Sequence, residues 1–389
     1  MHAAGEGDSL ARALGGGLGM ADGGRMNRSG SRLSISYADV RSWHRPLTIM
    51  VAAMSALVVV ASVGLFADGR ELLQQSIWAK PLKFGASFVM YGATLAWLIP
   101  KLRRARRTMW TAGTVFAVAG LIDVGFIAVQ AARGTFSHFN AGTDTFNQIG
   151  QRIFSTGVFG LFGTSLIVAV MLLFQRIGDA ALTWALRAGI GLAVLGMALA
   201  SFITGWTSSA GPRTVEDAYG SPVPLVGGHG VGAPDGGGMP ITNWSTIGGD
   251  LRVPHFIGLH SIQVFVLTVL VLTALATRIG RLRHERVRAR LTGVVILGYG
   301  ALFTITAWQA LRGQSLIHPD AATWTALAAT AVMTAVLAAL AVTAAHRNES
   351  ARRNESARRA EAVSRSEPVR RRKAAHCDVN RPGFDGGGD

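Results

Sequence analysis

Apolar residues in this chain neither alternate nor fall on one helical stripe. They run nearly unbroken for about 17 to 25 positions at a time, the length a helix needs to cross a bilayer. Eight such runs are present: approximately Leu47 to Ala67, Phe84 to Ile99, Met109 to Ala131, Ile153 to Phe174, Ala188 to Trp206, His255 to Thr277, Leu291 to Ala310 and Ala322 to Ala345. A soluble protein can bury one or two helices of this kind, but eight with short charged connectors leave no polar face for water. The pattern predicts an all-α integral membrane protein with eight transmembrane helices.

Charge then orients the spans. Arg and Lys gather before span one (Arg25 to Arg45), between spans two and three (Lys101 to Arg107), at Arg176 and Arg187, between spans six and seven (Arg278 to Arg290), and in the tail. Basic residues near span ends are retained in the cytoplasm, so both termini are expected there, as an even number of spans requires, with the chain in the plasma membrane. Trp43, Trp97, Trp110 and Trp184 fall near the expected inner ends, and Trp78, Trp206, Trp308 and Trp324 near the outer ones, the headgroup depth this ring prefers. The formal charge of +16 therefore reads as topology and attraction to anionic lipid. Without a folded recognition module, nucleic acid is not an expected partner.

Residues 1–45 are expected to form a disordered cytoplasmic N-terminus, with no apolar core of signal-peptide type. Residues 46–175 make a membrane half with spans one to four. Residues 176–346 make a second half with spans five to eight and a long outer loop at 207–254. Residues 347–389 form a disordered basic cytoplasmic tail in which Asn-Glu-Ser-Ala-Arg-Arg occurs twice. The sole cysteine, Cys377, lies in that tail, which excludes an intrachain disulfide, a multi-cysteine metal site and an iron-sulfur cluster.

The halves carry echoes of one another. Gln130-Ala131-Ala132-Arg133-Gly134 closes span three and Gln309-Ala310-Leu311-Arg312-Gly313 closes span seven. His138 and His318 follow at similar distances, and Pro81 with Gly85 matches Pro254 with Gly258. The pattern suggests two pseudo-symmetric four-helix halves related by an axis along the membrane normal.

Polar residues concentrate at the expected outer ends. Lys80, Lys83, Ser87 and Tyr91 begin span two; Asp123 and Gln130 share a face of span three, with Arg133, His138 and Asn140 just beyond it. Arg252, His255, His260 and Gln263 open span six, and Gln309, Arg312 and Gln314 close span seven. Together they are expected to line an outward-facing vestibule, with Trp244 to Arg252 folding back over it. An ionised Asp123 near mid-membrane would cost roughly 2.5 to 3.5 kcal/mol, so it is either a proton acceptor, cation ligand or substrate anchor, or is paired for packing. His138, His255, His260 and Asp123 are candidate metal ligands, although His255 and His260 lie about 140° apart around one helix. The cations Lys80, Lys83, Arg133, Arg252 and Arg312, near outward helix N-termini, favour an anionic ligand.

The segments Lys80-Pro81-Leu82-Lys83-Phe84, Ser137-His138-Phe139-Asn140 and His255-Phe256-Ile257-Gly258-Leu259-His260 together resemble a family of uncharacterised bacterial polytopic membrane proteins. The resemblance covers the membrane region and implies no assigned activity. The leading expectation is an outward-facing site that binds, and by extension transports, an anionic small molecule or lipid headgroup, with Asp123 coupling protons. A membrane-embedded metal- or haem-dependent enzyme and a non-catalytic assembly subunit remain the alternatives.

Overall fold

The computed structural model describes residues 41–206, 211–233, 235, 237–344, 355, 357 and 358. The segment up to residue 40 and nearly all of the basic tail, with Cys377, lie outside the described residues. Eight helices are long and apolar enough to cross a membrane: α1 (Arg45–Ala67), α2 (Ala79–Leu98), α3 (Arg106–Ala132), α4 (Thr145–Leu173), α5 (Ala180–Trp206), α6 (Arg252–Leu275), α7 (Glu285–Leu311) and α8 (Ala321–Ala344). The chain is a multi-pass helical membrane protein.

Several helices outrun the apolar stretches that announce them. α2 starts at Ala79, so Lys80 and Lys83 sit in its first turns, and α4 starts at Thr145, taking in Asn147 and Gln151. Apolarity marks only what the hydrocarbon must solvate, whereas a helix continues until its backbone is capped. Asp144 supplies that cap for α4, accepting from the Asn147 N–H at 3.0 Å.

α1 packs on α2 and α3, α2 on α3, and α3 on α4; α5 packs on α6 and α7, and α6 on α7. α4 also packs on α5, and α2 on α6. α3 is the central helix, with 56% of its most apolar window buried against protein, while α8, at 6%, faces lipid. The main core runs through Met50, Leu95, Phe116, Ile190 and Ile262, with Tyr91 stacked on Phe116 at 5.5 Å.

α3 and α7 end alike. Gly134 and Gly313 adopt left-handed φ values of 69° and 73°, a conformation other residues enter at a cost. Their N–H groups bond the Ala131 and Ala310 carbonyls (2.8 and 2.9 Å), and the following N–H bonds the carbonyl of Gln130 or Gln309 (3.0 and 3.2 Å). This is a Schellman ending, made twice. Arg133 then reaches Asp144 (3.2 Å), and Arg312 reaches Asp320 (2.7 Å). Asp320 accepts from the Thr323 N–H at the start of α8 (2.8 Å), as Asp144 does from Asn147. α3 is therefore stapled to the N-terminus of α4, and α7 to that of α8.

The connections divide between two ends. At one, Arg103 and Arg104 N–H groups meet Gln175, and Arg288 pairs with Asp179; this is the arginine-rich end. At the other, the short hairpin Glu71–Leu72/Gln75–Ser76 meets the 211–251 chain, with Gln75 bonding Ile241 and Ser315 bonding Ser245. The long connection is built from pairs of short strands. Arg213–Glu216 pairs with Pro222–Leu225, and Gly230–Val231 with Gly249–Asp250. Leu225 also bridges Asn140. The chain from 211 thus forms a roof over the loop-rich end.

Candidate functional site

The first turns of α2 and α6 lie under this roof. Proline is the third residue of each helix, a placement that removes an N–H no helical carbonyl would satisfy. Neither helix has an acidic residue in its first turn or a side-chain cap on Trp78 or Leu251. Asp144 and Asp320 neutralise the N-termini of α4 and α8, and at α6 Asp250 accepts from the Arg252 N–H at 2.9 Å.

Three cations gather here. Lys83 donates to Gln75 Oε1 (3.3 Å) and to the Thr242 carbonyl of the roof (3.0 Å). Arg252 forks onto Asp250 through Nε (3.0 Å) and Nη2 (2.6 Å), and Nη2 also meets the Asn243 carbonyl. Lys80 is half-buried and has no hydrogen-bond acceptor among the described residues. Its charged neighbours are Arg252 and Lys83. The nearby carboxylate, Asp250, is spent on Arg252 and on the Ser245 N–H (2.8 Å).

Two imidazoles from loops complete the cluster. Phe139 has a left-handed φ of 59°, so the residues beside it diverge. Asn140 turns into its own loop, bonding the Phe136 carbonyl, the Gly142 N–H and Asn147. His138 lies among Phe84 (5.7 Å), Phe154 (4.6 Å) and His229 (6.2 Å between ring centroids). His229 comes from the roof and meets Phe139 edge-on at 4.8 Å, leaving a buried Nδ1 without a hydrogen-bond partner among the described residues. Sequence reasoning missed His229. The only signal was a histidine inside Gly227-Gly228-His229-Gly230, a run whose glycine content reads as loop.

Burial holds both imidazoles well below their usual range. For His138 the nearby Lys80 adds to the effect; for His229 Arg252, His138, Lys80 and His255 do. They therefore bind protons more weakly in the closed roof than in an open loop, and roof stability falls as pH drops below the ordinary imidazole value of about 6.5. Amide exchange around 225–231, corrected for intrinsic rate, is expected to be faster at about pH 5.5 than at about pH 7.5, and His229→Gln should blunt the difference. Protection independent of pH in the unmodified chain would contradict this.

Deeper between the same helices, His260 Nε2 lies 3.5 Å from Ser87 Oγ, and Gln263 reaches Thr94 Oγ1 at 3.4 Å. His260 and Ser87 are equivalent positions, each six residues past its helix's proline. His255 faces the other way, its Nδ1 lying 2.8 Å from the Gly196 carbonyl of α5.

Of the residues expected to line one vestibule, Lys80, Lys83, His138, Arg252, His260 and Gln263 lie along the α2–α6 seam, with His255 at its edge. The others are elsewhere. Gln130 bonds Asn147 (3.0 Å) and Arg133 (2.8 Å) in the α3–α4 staple, and Gln309 bonds the Ser315 carbonyl (2.7 Å) in the α7–α8 staple, where Arg312 also meets Thr323 (2.8 Å). Asp123 is 2% exposed, its carboxyl facing Gly157 of α4 with no hydrogen-bond partner among the described residues. The metal set His138, His255, His260 and Asp123 is not assembled: no group of three metal-ligating side chains occurs among the described residues. Ser87, not a histidine, opposes His260.

No family model, curated protein or solved structure matches this chain. The geometry of the seam carries the functional argument alone.

Proposed function

We propose that this membrane protein binds a small anion, a phosphate or carboxylate group, between the first turns of α2 and α6. One observation carries the reading: a half-buried Lys80 ammonium that has no hydrogen-bond acceptor among the described residues and whose charged neighbours are the cations Arg252 and Lys83. Burying an unpaired charge is costly, and an anion beside Lys80 relieves that cost while accepting from Lys83 and Arg252. The Thr242 carbonyl holds Lys83 meanwhile, and Asp250 together with the Asn243 carbonyl holds Arg252. Ile241, between them and the rest of the roof, has a φ of 68°, with the Thr242 N–H bonded to the Pro240 carbonyl at 2.8 Å. This is a γ-turn of the rare, strained kind, so an incoming anion displaces a segment that yields readily. The arginine distribution supports a site outside the cytoplasm. Asp123, on another seam, has no part in it.

The test is thermal unfolding of the purified full chain in detergent, followed by tryptophan fluorescence. Inorganic phosphate, acetate and a short-chain phosphatidic acid are compared at equal ionic strength, which separates free anions from a lipid headgroup. An anion at 100 times its Kd stabilises by about 2.7 kcal/mol. Lys80→Met is expected to raise the midpoint without ligand, because the unpaired charge is gone, and to abolish the anion-dependent rise. If no anion shifts the unmodified protein, or if both proteins shift alike, the reading fails.

A further inference from the structure

At the arginine-rich end, far from the α2–α6 seam, α3 and α4 part to leave a groove of about 560 Å³. The separation is graded along α4. A Cβ on Gly150 would strike Phe126, one on Gly157 would strike Asp123, one on Gly160 would lie 3.6 Å from Val115, and one on Gly163 would meet nothing within 4 Å. The helices remain joined beside the opening, where Thr164 Oγ1 donates to the Ala112 carbonyl at 3.2 Å. The groove is therefore a feature of the packed pair.

Its walls change character along its length. Phe159, Val115 and Ile167 are exposed apolar side chains in helices of membrane-spanning length, while the mouth carries Arg107, Thr108 and Thr111. Arg107 has no ion pair, and the Thr108 and Thr111 hydroxyls have no hydrogen-bond partner, among the described residues. Thr114, one turn deeper, bonds its own helix at 2.9 Å. Arg103, Arg104 and Arg106 crowd the same end. An apolar slot in the hydrocarbon, opening on unpaired donors and positive charge at the headgroup level, has the polarity profile of one molecule type: a phospholipid bearing net negative charge.

We propose that this groove binds an anionic phospholipid, an acyl chain lying along Phe159 and Gly163 and the phosphate accepting from Arg107, Thr108 and Thr111. A neutral lipid would fill the slot equally but leave the arginines uncompensated, so headgroup charge decides occupancy.

Native mass spectrometry of the detergent-purified full chain, titrated with phosphatidylglycerol and with phosphatidylcholine of the same acyl chains, tests this. The unmodified protein is expected to retain phosphatidylglycerol preferentially. Arg107→Gln should reduce that preference about fivefold, the effect of one basic residue near an anionic headgroup. Gly163→Leu, which places its side chain in open space, should lower retention of both lipids. Equal retention of the two lipids by the unmodified protein would overturn the proposal, as would unchanged phosphatidylglycerol binding in Arg107→Gln. Should Gly163→Leu fail to fold, the exposed Arg107 substitution still decides the matter.

Discussion

Asp250→Ala is expected to destabilise the protein by about 3 to 5 kcal/mol, the usual cost of removing one member of a buried ion pair. The Asp250 side chain is 1% exposed. Besides the guanidinium fork of Arg252, it accepts from the Arg252 and Ser245 N–H groups at 2.9 and 2.8 Å. Its loss strands a guanidinium beside Lys80 and Lys83 and unties the turn at Ser245, whose carbonyl in turn accepts from Ser315 at 3.0 Å. The roof should consequently open before the helices unfold, seen as early proteolysis or rapid amide exchange across 237–251. Arg252→Ala in the same chain removes the stranded charge, so the double variant should be more stable than Asp250→Ala alone. A double variant that falls as far as the single one would show that the ion pair is not what holds the roof.

Gly157→Ala is expected to cost about 1 to 3 kcal/mol, the range for overpacking a close-fitted interior. The added Cβ would lie 2.1 Å from Asp123 Oδ1, and the buried carboxyl cannot swing into hydrocarbon to make room without further desolvation. Asp123→Ala vacates that space, so the alanine at 157 should then be nearly neutral. The two substitutions form a cycle whose coupling energy approaches the whole cost of the first. Thermal midpoints of the four proteins in detergent give the answer. Additive effects would mean that Asp123 does not face Gly157. The same cycle separates packing from ligand binding, because neither variant should alter the response to phosphate.

How far the sequence could be read depended on the range of each determinant. Eight crossings are legible because hydrocarbon imposes length and apolarity on every span separately. The glycine that ends α3 and its counterpart after α7 are legible because a left-handed turn is a property of two or three residues. Even the capping role of Asp144 is local. The fate of the polar residues was not local. Spans that are apolar all round carry no stripe to set their rotation, so nothing in the sequence told whether Asp123 faced α2, α4 or α6. Packing turned it to Gly157, gave Gln130 and Gln309 to two matching staples, and left Lys80 without a carboxylate. It also brought His229 from a glycine-rich loop to within 6.2 Å of His138, across 91 positions of chain. The crossings and their turns thus follow from the sequence alone, through the bilayer and the backbone. Which charges meet, and which stay unpaired, was decided by tertiary packing, because partnership depends on helix rotation and on contacts between distant segments.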